Sequence, residues 1–463
     1  MRRALAAAAA SASALLTACG GGSGGGSIPG GGACSATNQK AFVLDVAQDW
    51  YLFLNLLPPN PNPANFASAQ EFLDALTANA RAQGFDRFFT FLTTPQADSS
   101  FFGEGQFVGF GFRTRIDGNR LLVPDVYEGS PAAAGGLARG AEITHINSGS
   151  GFVAVATILQ TDPNLEQAFG PATQGVQRGL RFILQGGQQL ESTFTKAVVT
   201  IPPVPPSGVA VFALPQNPSI PVGYINLRTF ISTAENPLRN AYLQFRQQGI
   251  QYFIVDLRYN GGGLVSIADL VGDLHGQDRM AGVDVWSNTR FNSLRAPAND
   301  SVRRFASAPQ SVGPVRIAFI TTGSSASASE LVINALKPWI EVAIVGSDTF
   351  GKPVGQLAFD MPGCDLRLRL VGFRITNADN EGDYFDGLAP TLPGAACAAA
   401  DDFSRAPWDR AEASTAAALS WLQTGACGQL MGAPAPFPAL RIAPRYPALS
   451  RPTPAQDNLP GLF

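Results

Sequence analysis

Apolar residues recur with helical spacing from Asn38 to Leu57, with Val43, Val46, Trp50, Phe53, Leu54 and Leu57 on one face before Pro58-Pro59 stop the run. Ser68-Ala69-Gln70-Glu71 has the form of a capping box ahead of Phe72, Leu73 and Leu76, which predicts a second helix. These helices define a small helical domain over residues 35–100. Asp86-Arg87-Phe88-Phe89-Thr90-Phe91-Leu92 closes it, and aromatics that dense read as core rather than site. From 101 to 198 the period shortens to β-like runs, Phe107 to Phe112, Leu121 to Val126 and Leu180 to Leu184, with turn residues between them. Pro202-Pro203-Val204-Pro205-Pro206 reads as a stiff, extended linker. Beyond it, strands Val222 to Leu227, Tyr252 to Leu257, Val315 to Ile320 and Glu341 to Val345 alternate with helices near Ala234 to Gln248, Val265 to Leu274 and Ser329 to Leu336. That βαβ rhythm predicts an α/β core over 199–428, followed by a Pro-rich tail at 429–463 that is extended or disordered.

Length and composition narrow the chemistry. A chain of 463 residues holds two or three domains, and with 14% charged residues and a net charge of −3 it has no basic footprint for nucleic acid. It contains four lysines (Lys40, Lys196, Lys337, Lys352) and two histidines (His145, His275). A His-rich metal site cannot be built from these, and no cofactor is implied. His145 and His275 both read as structural.

Met1-Arg2-Arg3 followed by a short small-residue apolar run reads as a secretory signal over residues 1–19. Its end, Leu16-Thr17-Ala18-Cys19, resembles the lipobox of bacterial lipoproteins, which implies acylation of Cys19 and attachment to the membrane through that lipid anchor only. Gly20 after the cysteine implies, by resemblance to the sorting pattern, the outer membrane with the globular part facing the periplasm of the cell envelope. Residues 20–34 are a Gly/Ser tether. Without Cys19 four cysteines remain, Cys34, Cys364, Cys397 and Cys427, enough for two disulfides in an oxidising compartment. Cys34 and Cys427 flank the globular region, which favours Cys34–Cys427 with Cys364–Cys397 among the three possible pairings.

The stretch Gly129-Ser130-Pro131-Ala132 through Gly136-Leu137 to Ile143-Thr144-His145-Ile146-Asn147 resembles a PDZ domain, although Ala141 stands where Asp is usual. The resemblance implies that 101–198 captures a peptide C-terminus as an added strand, with Gly109, Phe110 and Gly111 in the binding loop. Alternate phenylalanines there also suit a barrel core.

Three further segments carry the chemistry. Val255-Asp256-Leu257-Arg258-Tyr259-Asn260-Gly261-Gly262-Gly263 runs a buried-looking strand into glycines, a candidate oxyanion cradle. Ser324-Ser325-Ala326-Ser327-Ala328-Ser329-Glu330 runs through small residues into a helix; Ser327 can face a cleft there, but Ser327 to Glu330 is also a capping box. Thr349-Phe350-Gly351-Lys352-Pro353-Val354-Gly355-Gln356 places a lysine after an apolar strand, where desolvation can make it a general base.

Together, DLRYNGGG, SASASE and TFGKPVGQ resemble the carboxy-terminal processing peptidases, also called tail-specific proteases. The 25-residue separation of Ser327 and Lys352 (352 − 327) matches the family spacing, whereas Ser325 and Ser329 do not. The resemblance implies an α/β (α+β multidomain) fold with a ClpP/crotonase-like peptidase core, the helical N-terminal domain and the PDZ-like domain. It implies Ser327 as nucleophile, Lys352 as base, Gln356 as the group orienting it, and an oxyanion hole between the Ala328 N–H and a glycine of the turn, Gly262 ahead of Gly261. The function it implies is a serine endopeptidase acting on polypeptides with apolar or disordered C-termini, without metal or cofactor. A non-catalytic PDZ-containing envelope scaffold is the alternative.

Overall fold

The computed structural model describes residues 33–428. The signal and lipobox with Cys19, nearly all of the Gly/Ser tether and the Pro-rich tail lie outside the described residues.

Helix α1 (Ala36–Trp50) opens at Ser35, whose Oγ accepts the Asn38 N–H at 3.3 Å. It ends earlier than its apolar spacing predicts, because Tyr51 turns to φ −61°, ψ 128° and sends its hydroxyl inward to Asp86. Only a 3-10 turn, Leu54–Leu56, continues toward Leu57. Helix α2 (Ala69–Ala82) begins where its cap predicts: Ser68 Oγ accepts the Glu71 N–H at 3.1 Å, and the Glu71 carboxylate reaches back to the Ala67 N–H at 3.0 Å. Both helices bury their apolar stripes in a core that also contains Phe350, Val354, Leu368 and Leu370, so their stability comes from packing against the C-terminal half.

Residues 106–200 form a β-rich unit. Strand β1 (Gln106–Gly109) pairs antiparallel with β2 (Ala197–Thr200), beside a twisted sheet containing Arg120–Leu122, Glu142–Asn147, Gln177–Ile183 and Gln189–Thr195. The strand expected to run to Phe112 stops at Gly109 and bends through Gly111 at φ +90°, which turns Phe110 into the unit's core. Ser130 Oγ accepts the Ala133 N–H at 3.2 Å and opens the short helix Pro131–Ala134. The prolines that follow β2 are packed rather than free: Pro203 and Pro205 are buried, and the Pro203 carbonyl accepts the Arg228 N–H at 2.7 Å.

The α/β expectation is met in the second half. Strands β3 (Val209–Leu214), β4 (Asn217–Asn226), β5 (Tyr252–Asp256), β6 (Arg316–Thr321) and β7 (Glu341–Gly346) lie in that order, with Ala396–Ala398 beyond β7. All neighbours from β4 onward are parallel, in a register that aligns Asn226, Asp256 and Ile320 at the strands' carboxyl ends. Helices α3 (Glu235–Gln247), α4 (Val265–Leu274) and α5 (Ala328–Leu336) cover one face, through Leu238, Tyr242, Val271 and Val332. Helix α6 (Ala413–Thr424) covers the other with Ala418, Trp421 and Leu422. A sheet buried on both faces explains why its strands are near-continuous apolar runs. A second, antiparallel sheet, absent from the sequence expectation, is built on the hairpin β8 (Val354–Asp360) and β9 (Arg367–Thr376). The N-terminal strand Phe91–Thr93 adds to β9 and ties the helical region to this sheet.

The disulfides differ from the favoured pairing: they join Cys34 to Cys364 and Cys397 to Cys427. Cys364 lies in the turn between β8 and β9, on which α1 packs, so it meets Cys34, two residues before α1. Cys397 lies on the edge strand of the sheet that α6 covers, and Cys427 comes three residues after α6 ends. The two ends of the globular part are therefore each bonded to another element and not to one another.

Candidate active site

The carboxyl edge of a parallel sheet is where strands hand over to loops and helix N-termini face outward. The three motif segments emerge there, after β5, β6 and β7. Leu257 N–H bonds the Ile320 carbonyl (2.9 Å) and Ala326 N–H bonds the Asn260 carbonyl (3.0 Å), stitching the first two loops together. Two of the three motif serines are consumed in that stitching. Ser325 Oγ donates to the Leu257 carbonyl (2.7 Å) and Ser329 Oγ to the Asn260 carbonyl (2.8 Å), and both side chains are buried. Ser327 is the one left partly exposed.

Its backbone is the strained point of the turn, at φ 55° and ψ −114°, a conformation L-residues rarely adopt. Such a sharp strand-to-helix turn presents a hydroxyl at the mouth of a cleft while the N-terminus of α5 lies directly behind it. Gly262 comes so close that a Cβ there would sit 2.7 Å from Ser327 Cβ and 2.9 Å from the Ala328 nitrogen, so only glycine fits. The Gly262 N–H itself donates to Asn260 Oδ1 at 2.9 Å, so it is not free toward the cleft in this conformation.

Glu330 is the hub of the site. Fully buried, it accepts the N–H of Ser327 (2.9 Å), of Gly351 (2.7 Å) and of Lys352 (2.7 Å). One carboxylate thus holds the serine turn and the lysine loop in fixed relation. Burial pushes its carboxyl up to about 7, against the pull of those N–H donors and of Thr349.

Lys352 is buried, its amine donating to Gln356 Oε1 at 3.0 Å and lying 4.9 Å from the centre of the Phe89 ring. Burial pulls it down to about 7; Asp86 opposes the shift, Arg369 assists it, and Glu330 opposes it. An amine poised there can accept and return a proton near neutral pH. Among the described residues no hydrogen bond joins Lys352 Nζ to Ser327 Oγ, a looseness common before substrate closes a site.

Residues 221–393 match the protein-family profile described as peptidase family S41, and residues 38–91 match its N-terminal domain, Peptidase S41 N-terminal domain. The chain thus carries peptidase family S41 domains over residues 38–91 and 221–393. The carboxyl-terminal-processing protease of Synechocystis sp. is 26% identical over 264 residues, 56% of each chain. A probable CtpA-like serine protease of Staphylococcus aureus (strain N315) is 25% identical over 312 residues, 66% of this chain and 57% of its own length. The chain thus spans little more than half the length of the curated relatives it matches. A crystal structure of a putative S41 protease from Bacteroides fragilis superimposes with a TM-score of 0.61 at 22% identity, covering 83% of this chain and 97% of that one, and shares its fold. The resemblance read from the three motifs is borne out.

In this S41 chain several residues of the site escaped sequence reasoning. Glu330 was visible only as the end of a capping pattern, and its bonds to Gly351 and Lys352 cross 21 and 22 residues. Asp256 and Arg258 form a buried pair (2.9 Å), with Arg258 also bound to Glu412 (3.0 Å) and Asp256 to the Tyr224 hydroxyl (2.7 Å). They anchor the strand end from which the glycine turn leaves. Tyr259, at φ 62°, is gripped by the β-rich unit: Arg113 bonds its carbonyl (2.7 Å) and Arg139 its hydroxyl (2.8 Å), which in turn donates to Asp401. Gly109, Phe110 and Gly111 lie elsewhere, lining a groove of about 990 Å³ between the β-rich unit and the segment around Phe101, with Arg178 and Lys196 at its walls. Of the two histidines, His275 is buried 2.9 Å from the Tyr242 hydroxyl and held down to about 4 by burial, and His145 lies 3.1 Å from Thr144 Oγ1. Neither is among the residues gathered around Ser327.

Proposed function

We propose that the protein is a lipid-anchored serine endopeptidase of the carboxyl-terminal processing type that faces the periplasm. It cleaves peptide bonds of unfolded or C-terminally disordered polypeptides with a Ser327–Lys352 dyad. The observation that carries this reading is the buried Lys352 amine, pulled to about 7 and held by Gln356, on a loop that Glu330 locks to the serine turn.

In the proposed reaction Ser327 Oγ attacks the peptide carbonyl carbon as neutral Lys352 takes the hydroxyl proton. The carbonyl oxygen gains the negative charge, and the Ala328 N–H at the start of α5 stabilises it. Gly262 adds a second donor once its N–H is released from Asn260 Oδ1. Collapse breaks the C–N bond, with the Lys352 ammonium returning its proton to the leaving amine. Water then attacks the acyl ester by the same route, with Lys352 again as base. Ser327, Lys352 and Gln356 are in the reaction, whereas Arg178, Lys196 and the Gly109-Phe110-Gly111 bend suit a groove that takes an apolar C-terminal tail as an added strand. The anchor at Cys19, and with it the periplasmic location, rests on the lipobox alone.

The test is cleavage of an unfolded, casein-like polypeptide. Ser327→Ala and Lys352→Ala are expected to abolish it, and kcat/KM of the wild type should rise with pH through about 7 as Lys352 loses its proton. Undiminished cleavage by Lys352→Ala would sink the mechanism.

A further inference from the structure

The aromatic-rich segment that closes the helical region in sequence does not simply fill a core. Asp86 is buried and fixed: Oδ1 accepts the N–H groups of Phe89 (2.9 Å) and Thr90 (3.0 Å), and Oδ2 accepts the Tyr51 hydroxyl (2.8 Å). Arg87, also buried, sends Nη2 across 263 residues to the Phe350 carbonyl (2.5 Å) and to the Gly351 carbonyl (2.6 Å), the two peptide units just before Lys352. Its guanidinium lies 4.3 Å above the Phe350 ring. Phe89 offers its carbonyl to Gln356 Nε2 and its ring face to the Lys352 amine, 4.9 Å away. Phe88 takes φ 64° between them, which lets Arg87 and Phe89 both turn toward the same loop.

We infer that Asp86–Thr90 is a positioning segment for the general base: Arg87 pins the backbone carrying Lys352, the Phe89 carbonyl orients Gln356 against its amine, and the Asp86 carboxylate is its counter-charge. The inference rests on Lys352 being the base. Gln356 alone cannot fix the amine, because a side-chain amide rotates unless its other end is held; the Phe89 carbonyl holds it by accepting from Nε2. Asp86 from this segment, Glu330 from α5 and Arg369 from β9 act on Lys352 through their charges, and the Arg87 guanidinium lies on the Gly351 carbonyl, 5.7 Å from the Phe89 ring. Asp86 and Glu330 favour the ammonium and Arg369 the neutral amine, so the helical region contributes directly to the pH at which the base works.

With four lysines in the whole chain, a spectrum of protein carrying 13C-labelled lysine Cε reads the Lys352 titration directly, without an assay. Asp86→Asn keeps an oxygen for the Phe89 and Thr90 N–H groups and removes the charge. Its Lys352 midpoint, and the ascending limb of kcat/KM, are expected to move down by about one pH unit. Tyr51→Phe removes the hydroxyl from the same carboxylate but leaves the charge, so it should lower the melting temperature with the midpoint unmoved. An unshifted midpoint in folded Asp86→Asn overturns the inference, and so does an equal shift in Tyr51→Phe, which would make packing the cause. Should Asp86→Asn fail to fold, Arg87→Gln decides: a loss of kcat of at least tenfold at unchanged KM is expected, and an unchanged kcat overturns it. If Lys352→Ala keeps full activity, the assignment of the base itself has failed; if activity is lost there but the midpoint ignores Asp86→Asn, only the positioning segment has.

Discussion

At the scale of single residues the site is costly to build. Lys352 is buried with its ordinary value of 10.5 pulled to about 7, so the folded protein disfavours its ammonium. The unfolded chain therefore binds more protons between those two values, and the destabilisation the lysine causes shrinks as pH rises through that window. It is largest below about 7. Lys352→Met fills similar space without a charge, so it should raise the melting temperature while abolishing the proposed reaction. The gain should be greater at pH 6 than at pH 9, on the order of a few kcal/mol at the lower value. Equal melting shifts at the two pH values would mean that the buried amine is not strained. Glu330 carries the opposite pressure: its carboxyl is raised toward neutrality by burial, yet three N–H groups from two loops depend on it.

At the scale of elements, the carboxyl ends of β5, β6 and β7 deliver the three loops to one place, and the glycine turn after β5 tolerates no side chain where it meets the serine. Gly262 has φ +105°, and its hypothetical Cβ meets Ala326 O and Ala328 N at 2.9 Å besides Ser327 Cβ. These are backbone and turn atoms that cannot swing away. Gly262→Ala should thus lower kcat on the order of a hundredfold or more by displacing Ser327. Gly323, two residues after β6 ends, has open space around its Cα and no positive φ, so Gly323→Ala should leave kcat unchanged within about twofold. Steady-state rates of the two variants, with melting curves to confirm folding, decide the point; equal rates would remove Gly262 from the oxyanion turn.

At the scale of the whole molecule, the N-terminal helices, the β-rich unit and the double-layered half are locked by contacts far apart in sequence. The Cys34–Cys364 bond closes a loop of 330 residues and Cys397–Cys427 one of 30. By chain entropy the first stabilises by about 5–6 kcal/mol and the second by about 3–4 kcal/mol. Paired serine substitutions should accordingly lower the melting temperature more at Cys34/Cys364 than at Cys397/Cys427. The reverse order would mean that the segment before α1 is already held by packing alone. Arg113 and Arg139 reach from the β-rich unit to Tyr259 beside the glycine turn, so the β-rich unit and the serine and glycine turns belong to one connected structure.

The sequence by itself determined the parallel layer and the motif loops at its carboxyl edge. Strands buried on both faces leave continuous apolar runs, and glycine, serine and lysine at fixed spacing after such runs have few other uses. Hence β4 to β7, α4 and the convergence of the Ser327, Lys352 and Gln356 segments were legible, whereas the bonds that tie Ser325 and Ser329 to backbone carbonyls were not. Local pattern could not reveal what depends on meetings across hundreds of residues. The hairpin β8–β9 alternates arginine with apolar residues, a weaker signal than a buried run. The disulfide partners are set by where α1 and α6 dock. Asp86, Arg87 and Phe89 read as the end of a helical domain, because nothing along the chain shows that the Lys352 loop folds back onto them. Only the tertiary structure decided those points, since a hydrogen bond or a counter-charge acts through space and leaves no period in the sequence.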